Sequence, residues 1–465
     1  MAQRMAHDAP AANRYARSGA ALLVGTLASN ALSYLFFVVL SRVLTSADLG
    51  GVGAMVNLSV IASVPALGMQ LVAARLVARR RGDEARSREL ERRMLEASLL
   101  LGVVLALVVS AISPVLAPTL EVTVLTVVLL AAALVPLTVL HGAQGLLQGR
   151  ERFAALALVL TLAGLGKVLA AFLAGTHMGG ITPVATVILL YGLALVVVAA
   201  LGALLVRRAP RRTTPSDGSP STRPRPRGGT GRLVRLVAAA VVPTSGLLFL
   251  ASVDVLLARH HLSPAESGQY TVGALFEKAA FWGMSFLATL FYPAMVDAPR
   301  RRAALLRALA LVSGLGAAGV AMTVVLGEPL LQVVGGPQFT VIAPDLWRFT
   351  AFGVALSLVQ ILAYAGVAAA TVRMGLAMWL VSGLAVAWVS LAGRTTVDIV
   401  TILLACAVVL VLAGLAIERE TLRGAPDTPE APDMPDTPGT PGTPDRDGAP
   451  QLSAPRRARS GRPRC

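Results

Sequence analysis

Four ionisable side chains stand inside long apolar stretches of this sequence: Lys167, Asp254, Glu277 and Lys278. A charge at such a depth in a membrane costs roughly 2.5–3.5 kcal/mol on insertion scales, so each marks a functional position by default. A lysine ammonium in a low-dielectric cavity attracts phosphate or pyrophosphate. A buried carboxylate there pairs with such a cation or takes up H⁺ or Na⁺. Lys167 sits near the middle of its stretch with no acid close by in sequence, which makes it the leading candidate for an anionic ligand. Asp254 lies in one stretch and Glu277 with Lys278 in the next. At 1.5 Å per residue, Asp254 is roughly 8 Å and Glu277 roughly 14 Å from the connection between the two, so a contact needs an offset between helices. Glu277 and Lys278 are about 100° apart around a helix and cannot both point squarely into one cavity. The group is therefore a ligand site or a structural Asp254–Lys278 ion pair.

Uncharged polar residues add a second tier. His141, Gln144 and Gln148 share one helix face, spaced i, i+3 and i+7. Asn30 and Tyr34, and Asn57 and Gln70, sit in earlier stretches. Each either lines a polar vestibule or makes helix–helix hydrogen bonds. Arg75, about four residues from the end of its stretch, is the weakest candidate because it can snorkel to the interface. The histidines (His7, His141, His177, His260 and His261) have no metal-ligand spacing, and there is no Gly-x4-Gly-Lys-Ser/Thr phosphate loop. Neither a metal nor another cofactor is expected, and the chain does not read as an enzyme. A membrane glycosyltransferase should place an acid and an Arg or His in a sizeable loop, whereas the longest candidate, 328–345, holds only Glu328 and Asp345.

The elements that must hold these residues follow from composition. Of 465 residues, 55% are hydrophobic and 14% charged, against about 25% charged in an average soluble chain, which excludes a soluble enzyme. Twelve apolar stretches of spanning length are centred near Ala31, Ala62, Ala106, Ala132, Ala163, Ala194, Leu247, Ser285, Gly316, Leu358, Gly383 and Val408. The net charge of +16 is almost all arginine, and it alternates. Arginines crowd before the first stretch and after the even-numbered ones, as at 79–93, Arg150, Arg152, 207–235, 300–302, Arg373, Arg419 and Arg423. The positive-inside rule then places both termini in the cytoplasm of a multi-pass inner-membrane protein. Spread over many loops, these arginines are topology signals aided by anionic membrane lipids, not a nucleic-acid surface. Cys406 and Cys465 offer no disulfide framework.

The expected organisation is all-α: a cytoplasmic segment 1–17, a six-helix bundle 18–206, a disordered basic linker 207–235, a second six-helix bundle 236–417 and a disordered tail 418–465. The two bundles repeat in parallel. Leu44-Thr45-Ser46-Ala47-Asp48-Leu49-Gly50 ends the first stretch, and Leu262-Ser263-Pro264-Ala265-Glu266-Ser267-Gly268 ends the seventh, 218 residues on, each preceded by an arginine (Arg42, Arg259). A Ser/Thr-x-Ala-Asp/Glu turn is also a helix N-cap. With these turns, LFFVVLSRVLTSADLGGVGAMVNL (35–58), LLQGRERFAALALV (146–159), SVDVLLARHHLSPAESGQYTVGALFEKAAFW (252–282) and VVGGPQFTVIAPDLW (333–347), the chain resembles the Wzx-type polysaccharide transporter family. That family lies within the multidrug/oligosaccharidyl-lipid/polysaccharide exporter superfamily. The resemblance runs over roughly residues 14–418. It implies about twelve helices in two bundles around a central cavity, and alternating access of a polyprenyl-pyrophosphate-linked glycan for cell-surface polysaccharide biosynthesis. Separately from the resemblance, the buried acids Asp254 and Glu277 are candidates to take up H⁺ or Na⁺ to drive the cycle, and a glycan polymerase or glycosyltransferases are the expected protein partners. The alternatives are an ion-coupled multidrug exporter of the same superfamily and a membrane scaffold for glycan enzymes. Span 1, residues 18–41, contains neither Asp nor Glu, although such exporters often depend on an acid in the first helix.

Overall fold

In a bilayer, backbone N–H and C=O groups must be satisfied within their own segment, and each of the twelve apolar stretches is accordingly helical in the computed structural model. It describes residues 2–78, 84–175, 180–208, 230–296, 298–369 and 373–423. Within the linker and tail, 209–229 and 424–465 lie outside the described residues, as do Arg79, Arg80 and Arg81. Met1–Leu422 form one unit containing both halves.

The first half comprises α1 (Ala2–Val43), α2 (Ser46–Ala62), α3 (Val64–Ala78), α4 (Glu84–Ala111), the short α5 (Ser113–Thr119), α6 (Val124–Gly149), α7 (Phe153–Ala174) and α8 (Pro183–Arg207). The second comprises α9 (Thr230–His261), α10 (Pro264–Val296), α11 (Ala298–Val334), a 3₁₀ segment (Pro337–Asp345), α12 (Leu346–Ala368), α13 (Arg373–Ala392) and α14 (Thr396–Arg423). Among the described residues there is no strand. Among the described residues nine helical segments are long and apolar enough to cross a membrane, and α2 with α3 make a tenth span bent by 43°. Pro65, next to the break at Ser63, has no N–H to continue the helical ladder. The remaining two helices, α9 and α10, carry Asp254, Glu277 and Lys278. The chain is thus an all-α, multi-pass membrane protein of about twelve spans in two bundles.

An even number of spans puts both termini at one end, here called proximal; the α1–α2 and α9–α10 turns lie at the other, distal end. α1 packs on α7, and α6 on α3, α4 and α8; in the second half α12 packs on α10 and α11, and α9 on α13. The halves meet where α2 runs along α9 and α10, and α3 along α9. One apolar core belongs to the second half and one to the first. A third straddles the halves, joining Phe36, Leu40, Leu49 and Met55 to Val272, Leu275 and Phe276 of α10. Large aliphatic side chains remain on the outside, with Leu391 79% and Leu380 73% exposed, as lipid contact permits. The proximal end is tied within each half: Arg150 pairs with Glu91 in the first, and Arg301 pairs with Glu418 at 2.6 Å and donates to the Ala365 carbonyl in the second.

Candidate functional site

The two repeated turns face each other at the distal end. Thr45 caps α2 by accepting from the Asp48 N–H, and Ser263 accepts from the Glu266 N–H in the same place on α10. The Ser46 hydroxyl donates across the halves to the Ala265 carbonyl at 2.7 Å. Glycine is required on both sides: a Cβ on Gly50 would collide with the Ser267 hydroxyl, and one on Gly268 with the Ser46 carbonyl. Around this contact runs a reciprocal clamp. Ser41 donates to the Val334 carbonyl, and Arg42 to the Gln332 and Val333 carbonyls, all at the end of α11 in the other half. In return Arg259 donates to the Leu120 carbonyl (2.9 Å), the Glu121 carbonyl (3.0 Å) and the Ala47 carbonyl (3.1 Å), and His260 lies 3.2 Å from the Thr119 carbonyl oxygen. The carbonyls at a helix C-terminus have no intrahelical partner, so they are natural acceptors for cations from the opposite half. Arg259 is only 4% exposed. The halves are sealed at this end.

Below the seal lies the charge cluster. Asp254 and Glu277 are both fully buried, and the Lys278 ammonium reaches both: 3.4 Å from each Asp254 oxygen and 3.2 Å from Glu277 Oε2. The offset between helices that the sequence demands is bridged by the long lysine side chain. The backbone is held close as well, since a Cβ on Gly353 of α12 would meet the Glu277 carbonyl. Two atoms in the group lack hydrogen-bond partners among the described residues: Glu277 Oε1 and the hydroxyl of Tyr270. Tyr270, one helical repeat of seven residues before Glu277, is wholly buried within electrostatic reach of both carboxylates. It is a member the sequence reading missed, and the i, i+7 spacing is the signal that would have found it.

Lys167 stands apart in the first half. Its ammonium lies 3.3 Å from the Ser33 hydroxyl of α1 and 5.7 Å from the centre of the Tyr191 ring of α8. Both partners are uncharged and neither was singled out by sequence. The other candidates scatter. His141 and Gln70 hydrogen-bond each other at 3.0 Å, a contact between α6 and α3. Gln144 is buried, while Asn30 and Arg75 are exposed. Asn57 donates back to the Gly53 carbonyl of its own helix. Among the described residues no cluster of His, Cys, Asp and Glu could hold a metal ion.

With this geometry in view, comparison with known proteins gives two findings. Residues 15–298 match the family described as "Polysaccharide biosynthesis protein". The chain belongs to that family. Among solved structures, this family member is similar to the inward-facing conformation of a multidrug resistance MATE family transporter of the MOP superfamily: TM-score 0.66, 16% identity, 87% of this chain and 99% of that chain covered. It is also similar to the outward-facing conformation of a multidrug resistance MATE family transporter of that superfamily, with TM-score 0.53, 16% identity and 88% and 96% covered. A MATE transporter in complex with MaD5 gives 0.58, at 16% identity with 88% and 96% covered. At such identity the likeness establishes the fold alone. No curated protein matches in sequence.

Proposed function

We propose that this protein is a flippase that carries a polyprenyl-pyrophosphate-linked oligosaccharide across the cytoplasmic membrane by alternating access, with the proximal end in the cytoplasm. The observation that carries the cargo assignment is Lys167, a cation deep within the first half whose contacts are a hydroxyl and an aromatic ring instead of a carboxylate. Such an ammonium is available to a pyrophosphate. Lys278 is placed differently. Two carboxylates flank it, so the ionised group carries one net negative charge, which repels pyrophosphate and is neutralised by one H⁺ or Na⁺. Asp254 and Glu277 therefore serve coupling, and Lys167 serves cargo. The membership in a polysaccharide biosynthesis family supports a glycan cargo.

The test is reconstitution in vesicles with a fluorescent polyprenyl-pyrophosphate saccharide. The wild type flips the lipid, Lys167→Ala loses most of the activity and Lys167→Arg keeps part of it. Unchanged flipping by Lys167→Ala would sink the assignment of Lys167. Absence of flipping by the wild type, joined to proton- or sodium-driven export of a cationic dye, would favour the multidrug exporter instead.

A further inference from the structure

A cavity of about 510 Å³ lies between α10 and α11 in their proximal halves, lined by Phe291, Ala294, Arg300, Ala303, Ala304 and Arg307. Its size falls within the range of small-molecule sites. Arg300 and Arg307 are seven residues apart, so they share one face of α11 about 10 Å apart along its axis. Ala303 and Ala304 between them supply no bulk, which leaves the space open. Phe291 and Ala294 of α10 form the apolar wall. Among the described residues no acid lines the cavity. The neighbouring Arg301 points elsewhere, held by Glu418 and the Ala365 carbonyl. Arg307, by contrast, makes no ion pair or hydrogen bond with another described residue, although it stands about 13 Å into α11. Beside it Leu306 is 55% exposed. Two guanidinium groups facing a space with an apolar wall match a phosphate ester whose hydrocarbon chain stays in the bilayer. The planar fork of arginine bonds phosphate oxygens in pairs.

We propose that this cavity binds the phosphate of a membrane lipid and is where the pyrophosphate of the lipid-linked cargo is first held; the assignment to cargo rests on the flippase reading. Arg307 and Arg300 take the phosphate oxygens, while the chain lies along Phe291 and Leu306. The experiment uses the full-length protein in nanodiscs of neutral lipid. One arm adds polyprenyl pyrophosphate and the other phosphatidylglycerol, with binding read from the shift in thermal unfolding. Arg307→Gln should weaken polyprenyl-pyrophosphate binding roughly ten- to hundredfold. Arg302→Gln, one turn away and outside the lining, should leave it unchanged. Arg307-dependent binding of phosphatidylglycerol but not of polyprenyl pyrophosphate would overturn the cargo assignment and leave a bilayer phospholipid as the occupant. Equal losses in Arg302→Gln and Arg307→Gln, or no loss in either, would overturn the site. A protein that binds polyprenyl pyrophosphate through Arg307 yet flips no glycolipid would leave the site standing and remove the flippase reading.

Discussion

Lys278 matters because its single positive charge stands between two fully buried carboxylates. Removing a carboxylate and removing the ammonium therefore have opposite consequences. Glu277→Gln keeps the shape and leaves a neutral Asp254–Lys278 pair, so it should change stability little. Lys278→Ala leaves two carboxylates buried without a counter-charge, and breaking a buried pair in this way costs about 3–5 kcal/mol. Thermal unfolding in detergent should show the Tm of Lys278→Ala falling far below that of Glu277→Gln. Equal shifts would mean that the group is hydrated and not a closed ion cluster. The four intramembrane charges were legible in the sequence, because an ionisable residue within an apolar run is conspicuous. Tyr270 was not, because a tyrosine in such a run looks like ordinary packing until it is found buried within electrostatic reach of the carboxylates.

At the scale of elements, the repeated turn performs two tasks with one set of residues. Thr45 and Ser263 cap their helices, and that local role could be read from spacing alone. The glycines at the end of the motif do something that local sequence does not reveal: they let α2 and α10 touch backbone to side chain across the halves. Gly268→Val should keep both caps but prevent closure, since the added side chain meets the Ser46 carbonyl. Cys406→Ala, Cys465→Ser protein with a cysteine at Ser267, a position now 1% exposed, gives the measurement. Adding Gly268→Val should raise its labelling by a membrane-impermeant maleimide several-fold. Labelling that stays low would show the seam tolerating the bulk. The bend between α2 and α3 was also hidden, since hydropathy reads both as one apolar stretch centred on Ala62.

At the scale of the whole molecule, each half closes the distal end by gripping the other. Ser41 and Arg42 hold the end of α11, and Arg259 and His260 hold the end of α5. Lysine at position 259 keeps the charge but cannot serve the Leu120, Glu121 and Ala47 carbonyls together, because it lacks the fork. Spin labels at Val115 and Val341, both largely exposed and on opposite halves, should report a longer distance population in Arg259→Lys. A distance distribution identical to that of Arg259 protein would remove the clamp from the closure. The flippase reading also predicts that replacing 209–229 by a Gly/Ser linker of equal length and deleting 424–465 leaves most flipping intact. A scaffold that recruits glycan enzymes would lose its activity instead.

The sequence by itself determined the helical class, the number of spans, the capped repeat and the identity of the buried charges. All of these depend on short-range quantities: bilayer thickness against rise per residue, cap chemistry, and the cost of a charge in an apolar run. Only the tertiary structure decided that Lys278 meets both Asp254 and Glu277, that Lys167 rests on Ser33 and Tyr191, and that the two turns seal each other. Those contacts join helices far apart along the chain: residues 46 and 265 lie 219 positions apart, and 42 and 332 lie 290 apart. Their geometry is set by helix offsets and close glycine approaches, which no local pattern of residues encodes.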